Sequence, residues 1–126
     1  MKIRIRSGPL ALSLVSLGLL GLYVVKIMPA FLPPERLDCD KLASDDFPAV
    51  VIYGTSWCVY CKQTRWFLED HDIAYCEYDI ERSSAGASQY SAAGAKALPL
   101  IVVNGDSMQG FVEHKLSALL KRNELL

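Results

Sequence analysis

The first 34 of the 126 residues contain no Asp or Glu, and residues 10–25 carry no charge of either sign. The chain has two His and four Cys. Four cysteines are too few for a disulfide-dense scaffold. There is no basic stripe: residues 35–126 hold 9 Lys and Arg against 14 Asp and Glu, a net charge of −5. This excludes nucleic acid as a partner, since phosphate contacts need clustered Lys and Arg. There is no internal repeat and no low-complexity tract, and 52% apolar residues exclude disorder for the bulk of the chain. The length excludes most multidomain architectures.

What is present at the start is a cationic end and a long apolar run. Lys2, Arg4 and Arg6 precede Leu10–Val25, and Lys26-Ile27-Met28 follow. Residues 10–28 number 19, just enough to span a hydrocarbon core of about 20 residues. Lys26 is able to snorkel to the headgroups. The reading is one N-terminal transmembrane helix, with residues 1–28 as anchor or signal segment. The rival readings are a cleaved signal peptide and a buried helix. Cleavage after Ala30 would place Met28 at −3, a poor match to the small residue wanted there. Positive charge ahead of the span places Met1 in the cytoplasm and the remainder on the periplasmic or extracytoplasmic side. Residues 29–48, with Pro29, Pro33 and Pro34, read as a stiff linker. Residues 49–126 read as the domain.

Within that domain, Ala49–Tyr53 is a β-branched run expected to form a strand buried on both faces. Val59–Asp70 has no Gly or Pro and predicts a helix, with Cys61, Thr64, Arg65 and Leu68 on one stripe. Ile73–Ile80 reads as a second strand and Glu81–Ala93 as a helix weakened by Gly86. Pro99–Val103 is a third strand, and Asn104-Gly105 is a two-residue hairpin turn returning through Asp106–Gln109. Val112–Arg122 closes as an amphipathic helix with Val112, Leu116, Leu119 and Leu120 inward. The order β-α-β-α-β-β-α gives an α/β three-layer sandwich.

Cys58-Val-Tyr-Cys61 stands between the first strand and the first helix. Free N–H groups and the macrodipole at a helix N-terminus favour a thiolate on Cys58. One helical turn brings Cys61 within disulfide range. Cys58 would attack a substrate disulfide, and Cys61 would resolve the mixed disulfide by attacking Cys58. Half of a zinc site is the rival reading. Zinc wants four N or S ligands, yet there is no second CxxC, and His71 and His114 fall on solvent-facing helix ends. Inert structural cysteines are the other rival. No metal site is expected. Pro99 opens the third strand. Composition alone favours an ordinary trans proline there, whereas a cis Leu98-Pro99 bond would turn the Leu98 backbone toward Cys58 for pairing with an extended substrate.

Residues 49–122 resemble a glutaredoxin-type member of the thioredoxin-like superfamily. The likeness runs through VVIYGTSWCVYCKQTRWFLE, YDIE, ALPLIVVNG and QGFVEHKL. It implies a thioredoxin-like fold, Cys58 as nucleophile and Cys61 as resolving cysteine, and a cis peptide before Pro99. It further implies a substrate groove shaped by Trp57, Leu98, Pro99, Gly110 and Phe111, with Tyr60 either flanking it or simply exposed at the surface. It implies no resident cofactor, with glutathione as a candidate co-substrate. Partners would be protein disulfides or glutathione mixed disulfides, reached from a membrane tether through residues 10–28. Two departures bear on substrate. Thr55 stands where a Lys commonly contacts the glutathione carboxylate, and Gln109-Gly110-Phe111-Val112 replaces a Gly-Gly-x-Asp stretch. Each missing charge-assisted contact is worth about 1.5–3 kcal/mol. The Gly-Phe ending resembles glutaredoxin-like hydrogen donors that behave more like thioredoxins. The alternative function is iron–sulfur or copper binding and transfer through Cys58.

Cys39 and Cys76 remain. Cys76 lies on an edge strand of the resembled fold. In an oxidising compartment the pair would close a 38-residue loop, worth about 3–4 kcal/mol; two unrelated thiols, with Cys76 a small core residue, is the rival reading. Trp66 and Phe67 read as packing residues; Lys62 and Arg65 read as a solvated helix face, the rival being attraction of acidic substrates or support of the thiolate; and Asp38, Asp40, Asp45 and Asp46 read as a solvated acidic linker rather than a metal site.

Overall fold

The structure, a computed structural model, describes Gly21 and residues 36–126. The chain divides into two units, Met1–Leu32 and Pro33–Leu126. The expected membrane segment, Gly21 apart, lies outside the described residues. Among the described residues no helix is long and apolar enough to cross a membrane.

The second unit is a mixed five-stranded sheet with three α-helices. Its elements are β1 (Leu37–Asp38), β2 (Val50–Gly54), α1 (Val59–Asp70), β3 (Tyr75–Asp79), α2 (Ser84–Ala92), β4 (Leu100–Val103), β5 (Asp106–Gln109) and α3 (Glu113–Arg122). Short 3-10 turns at Cys39–Lys41 and Ser44–Asp46 link β1 to β2. The strand order is β1-β3-β2-β4-β5. β3 runs parallel to both β1 and β2, and β4 is antiparallel to β2 and β5.

Alternation along the strands builds two cores, one on each face. Val50, Ile52, Tyr75, Ile101 and Val103 point to one face and meet Leu68 of α1 with Leu116, Leu119 and Leu120 of α3. Tyr53, Cys76, Tyr78 and Leu100 point to the other, where Tyr90 of α2 packs on them. The layers are therefore α1 and α3, the sheet, then α2. At about 25 cal/mol per Å² of buried apolar area, side chains such as Ile52, Tyr75 and Leu68 each contribute about 1.5–3 kcal/mol.

Three differences from the sequence reading have physical causes. The linker assigned to 29–48 gives part of its length to the sheet: Leu37 and Asp38 pair with Cys76 and Glu77, so β1, not β3, is the edge. Val112 does not point inward; it is the 37% exposed N-cap of α3, before the helical periodicity starts. Gly86 does not merely weaken α2. A Cβ there would lie 2.6 Å from Tyr78 Cβ, so glycine is what lets α2 lie on β3. Ser83 caps α2 by accepting from the Gly86 N–H at 2.8 Å, and its hydroxyl donates to Asp40 at 2.8 Å.

Candidate redox site

β2 ends at Gly54, and the chain turns through Thr55-Ser56-Trp57 into α1. Cys58 is the N-cap residue of α1, in an extended conformation. The Cys61 N–H donates to Cys58 Sγ at 3.1 Å. A sulfur thus occupies the capping position usually taken by a Ser, Thr or Asp oxygen. The donor and the aligned helix dipoles favour a thiolate there. Cys58 and Cys61 are joined as a disulfide, with Cα atoms 5.2 Å apart. Cys58 lies at the surface end of the pair and is 6% exposed; Cys61, one turn inside the helix, is fully buried. One sulfur at the surface end and its partner buried behind it is an arrangement compatible with sequential exchange.

The surroundings are apolar and exposed. Trp57, Val59 and Tyr60 are 67%, 67% and 56% exposed. Trp57 Nε1–H donates to Glu81 at 3.1 Å, fixing its ring against the β3–α2 connection. The Leu98-Pro99 peptide is cis. The register pairs Tyr53 with Leu100 and Leu100 with Gln109. Pro99 and Gly110 therefore leave the sheet at the end where β2 runs out toward Cys58. Gly110 has φ +73°, and its N–H donates to the Pro99 carbonyl at 2.8 Å. The Gln109 side-chain carbonyl accepts from the Lys96 and Ala97 N–H groups at 2.8 and 3.1 Å, closing the loop before Leu98. Phe111 packs edge-on against Phe67, ring centroids 6.2 Å apart, on the flank of α1 beyond the cysteine pair.

Thr55 is 2% exposed, and its hydroxyl finds no hydrogen-bond partner among the described residues. Among the described residues no group of three or more His, Cys, Asp and Glu side chains is placed to hold a metal ion.

Two side chains depart from the expectation. Trp66 is not a packing residue: it is 58% exposed, with Lys62 Nζ 4.6 Å over its ring. Arg65 is not solvated. Its guanidinium pairs with Glu77 at 2.8 Å, and its side chain is only 11% exposed. The local pattern of β3 does not single out Glu77, yet its side chain is 3% exposed and is clamped from the other side by Arg36 at 3.0 Å. Burial pushes the Glu77 carboxyl up, while Arg65 and Arg36 pull it back; the net position is above the ordinary carboxylate value. A signal exists elsewhere in the sequence. Arg65 shares the buried stripe of Cys61, Thr64 and Leu68, and a cation there requires a buried anion.

Cys39 and Cys76 form the second disulfide, fully buried, with Cα atoms 5.1 Å apart. It joins the turn that follows β1 to β3, on the face opposite the Cys58–Cys61 pair.

Residues 50–108 match the family model described as Glutaredoxin. Proteins of the glutaredoxin and NrdH type are disulfide oxidoreductases that need no resident cofactor, with glutathione as a co-substrate. A Mycobacterium tuberculosis protein carrying a glutaredoxin name is 49% identical over 39 residues, 31% of this chain and 46% of that protein. The match thus spans about half the length of that curated relative. The glutaredoxin-like protein NrdH of Lactococcus lactis is 27% identical over 70 residues, 56% of this chain and 97% of that protein. Among solved structures, the thioredoxin-like protein BC3987 superposes with a TM-score of 0.53 at 26% identity, over 56% of this chain and 99% of that one. The fold is thioredoxin-like.

Proposed function

We propose that this protein is a dithiol thiol–disulfide oxidoreductase acting on protein disulfides, with its redox domain held outside the cytoplasm by the N-terminal segment. The observation that carries the activity is the Cys58 sulfur as N-cap of α1, one turn from a buried Cys61 within bonding range. Cys58 attacks, Cys61 resolves, and the exposed Trp57, Val59 and Tyr60 present an apolar surface to a partner. The cis Leu98-Pro99 backbone and the Gly110 turn bound the same end of the sheet and offer main-chain groups to an extended substrate.

Preference for protein disulfides over glutathione rests on what the site lacks in charge. Thr55 is buried and neutral where a cation would grip a carboxylate. The Gln109 side-chain carbonyl is engaged in closing its own loop. The α3 N-terminus has Val112 as its cap, with no side-chain hydrogen bond. Loss of two charge-assisted contacts at about 1.5–3 kcal/mol each weakens glutathione binding by a hundredfold or more. The buried Cys39–Cys76 bridge supports an oxidising location, as does the cationic end ahead of residues 10–28.

The test uses the full chain with Cys58→Ser as control. Dithiol-driven reduction of a protein disulfide, absent in the control, with little glutathione-driven turnover of a small mixed disulfide, is the expected result. Efficient glutathione turnover overturns the substrate assignment, and no Cys58-dependent exchange of either kind overturns the activity. For the location, a membrane-impermeant thiol reagent should label reduced Cys58 in intact cells; labelling only after lysis contradicts it.

A further inference from the structure

Glu77 is the only charged residue that is buried among the described residues. A carboxylate is costly to bury, and two guanidiniums are committed to holding it. Its position beside the cysteine pair gives it a use. A Cβ built on Gly54 would lie 2.9 Å from Cys61 Sγ and 3.0 Å from Glu77 Oε1. The buried sulfur and the carboxylate oxygen therefore flank the same missing methyl group, each within 3.0 Å of its position.

Cys61 has a difficulty that Cys58 does not. Cys58 takes an N–H bond and the helix N-terminus. Cys61 is fully buried and spends its own N–H on Cys58. It cannot hand its proton directly to bulk solvent, and burial disfavours its thiolate. It has to be deprotonated for the second exchange, because the thiolate is the nucleophile.

We propose that Glu77 is the proton acceptor for Cys61 in the resolving step, an assignment that rests on the dithiol reading of this site. In the mixed disulfide, Cys58 Sγ is bonded to a substrate sulfur and Cys61 carries a thiol. The Cys61 proton passes to Glu77 Oε1, directly or through one water. The sulfur electron pair then attacks Cys58 Sγ, and the Cys58–substrate bond breaks. Its electron pair leaves on the substrate sulfur, which takes up a proton from solvent or from Glu77. Cys58 and Cys61 are oxidised to a disulfide, and the substrate disulfide is reduced to two thiols. In the reverse direction Glu77 returns the proton to Cys61.

The groups that face Glu77 fit this role. Arg65 from α1 and Arg36 before β1 favour its ionised form, and Asp79 on β3 opposes it; the neutral Tyr75 phenol lies on the same strand, and Asp38 stands opposite in the β1 register. Asp40 and Arg82 line the adjoining cavity with them. Burial is the largest influence and leaves the carboxyl above its ordinary range, which makes it a stronger base than a surface carboxylate. Gly54 keeps the path to Cys61 open.

The test is stopped-flow reaction of the reduced full chain with dithiobis-nitrobenzoate. A fast release of the coloured thiolate reports Cys58 attack, and a second release reports Cys61 resolution. Glu77→Gln should leave the first phase within about twofold and slow the second at least tenfold at pH 6, in line with the usual contribution of a positioned base of about a hundredfold or more. Its second phase should also rise about tenfold per pH unit, following hydroxide. A second phase that superimposes on the wild type at every pH overturns the proposal. Should Glu77→Gln fail to fold, the wild type decides. Its second phase must fall as pH drops through a midpoint above the ordinary carboxylate value of about 4.3, and a flat profile overturns the proposal. Absence of a Cys58-dependent first phase in the wild type would instead sink the underlying dithiol reading.

Discussion

Replacing Cys39 and Cys76 together by Ala removes the bridge that ties the turn after β1 to β3 while leaving Cys58–Cys61 intact. The residues are 37 apart in sequence. The loop-entropy relation gives about 4 kcal/mol for a loop of that length. Both sulfurs are buried, so the two small cavities left behind add about 1 kcal/mol. A domain of this size unfolds in urea with a slope of about 1.5 kcal/mol per M. The midpoint should therefore fall by about 3 M, read by far-UV circular dichroism under non-reducing conditions. β1 contributes only Leu37 and Asp38 to the sheet, too little to stay paired alone, and its release also frees Arg36 from Glu77. The variant should accordingly lose hydrogen-exchange protection at residues 36–42 before any other part of the sheet. A midpoint shift below about 0.5 M would refute the argument that the bridge anchors β1 to the domain.

Other perturbations address the packing and charge around the cysteines. Gly54→Ala puts a methyl group 2.9 Å from Cys61 Sγ and 3.0 Å from Glu77, so it should cost about 1–3 kcal/mol by overpacking; unchanged stability in urea would contradict the close approach. Glu77 has a raised carboxyl value in the folded state. Between the ordinary value of about 4.3 and that raised value, the native state binds more protons than the unfolded chain. Stability therefore falls as pH rises through the window. Glu77→Gln should abolish that decline, and thermal unfolding between about pH 4.5 and 8 checks it; an identical slope in the variant would count against the buried carboxyl.

Much of the fold is legible in the sequence because its elements carry strong local patterns. The β-branched runs of β2 and β4 read directly, as does the Asn104-Gly105 turn, where Asn104 and Gly105 take φ +49° and +94°. The Cys58–Cys61 pair is legible from its place between a strand and a helix. β1 is not, because two residues in a proline- and aspartate-rich stretch have no periodicity. Its pairing is imposed by a bridge to a cysteine far along the chain. Glu77 and Arg36 are hidden for a related reason. Each looks like a surface charge in sequence, and only the β1–β3 register and the buried stripe of α1 bring them to Arg65 and Cys61. Gly86 illustrates the limit of local propensity: it weakens a helix in isolation but is required by Tyr78 beneath it.

The central claim is that Cys58 attacks and Cys61 resolves. The most direct measurement mixes full-length Cys61→Ser with an oxidised protein disulfide and locates the resulting linkage by peptide mass mapping. The account predicts a stable mixed disulfide on Cys58, and no linkage when Cys58→Ser is tested in parallel. A linkage at Cys61 in the Cys58→Ser protein, or one at Cys39 or Cys76 in either variant, would contradict it.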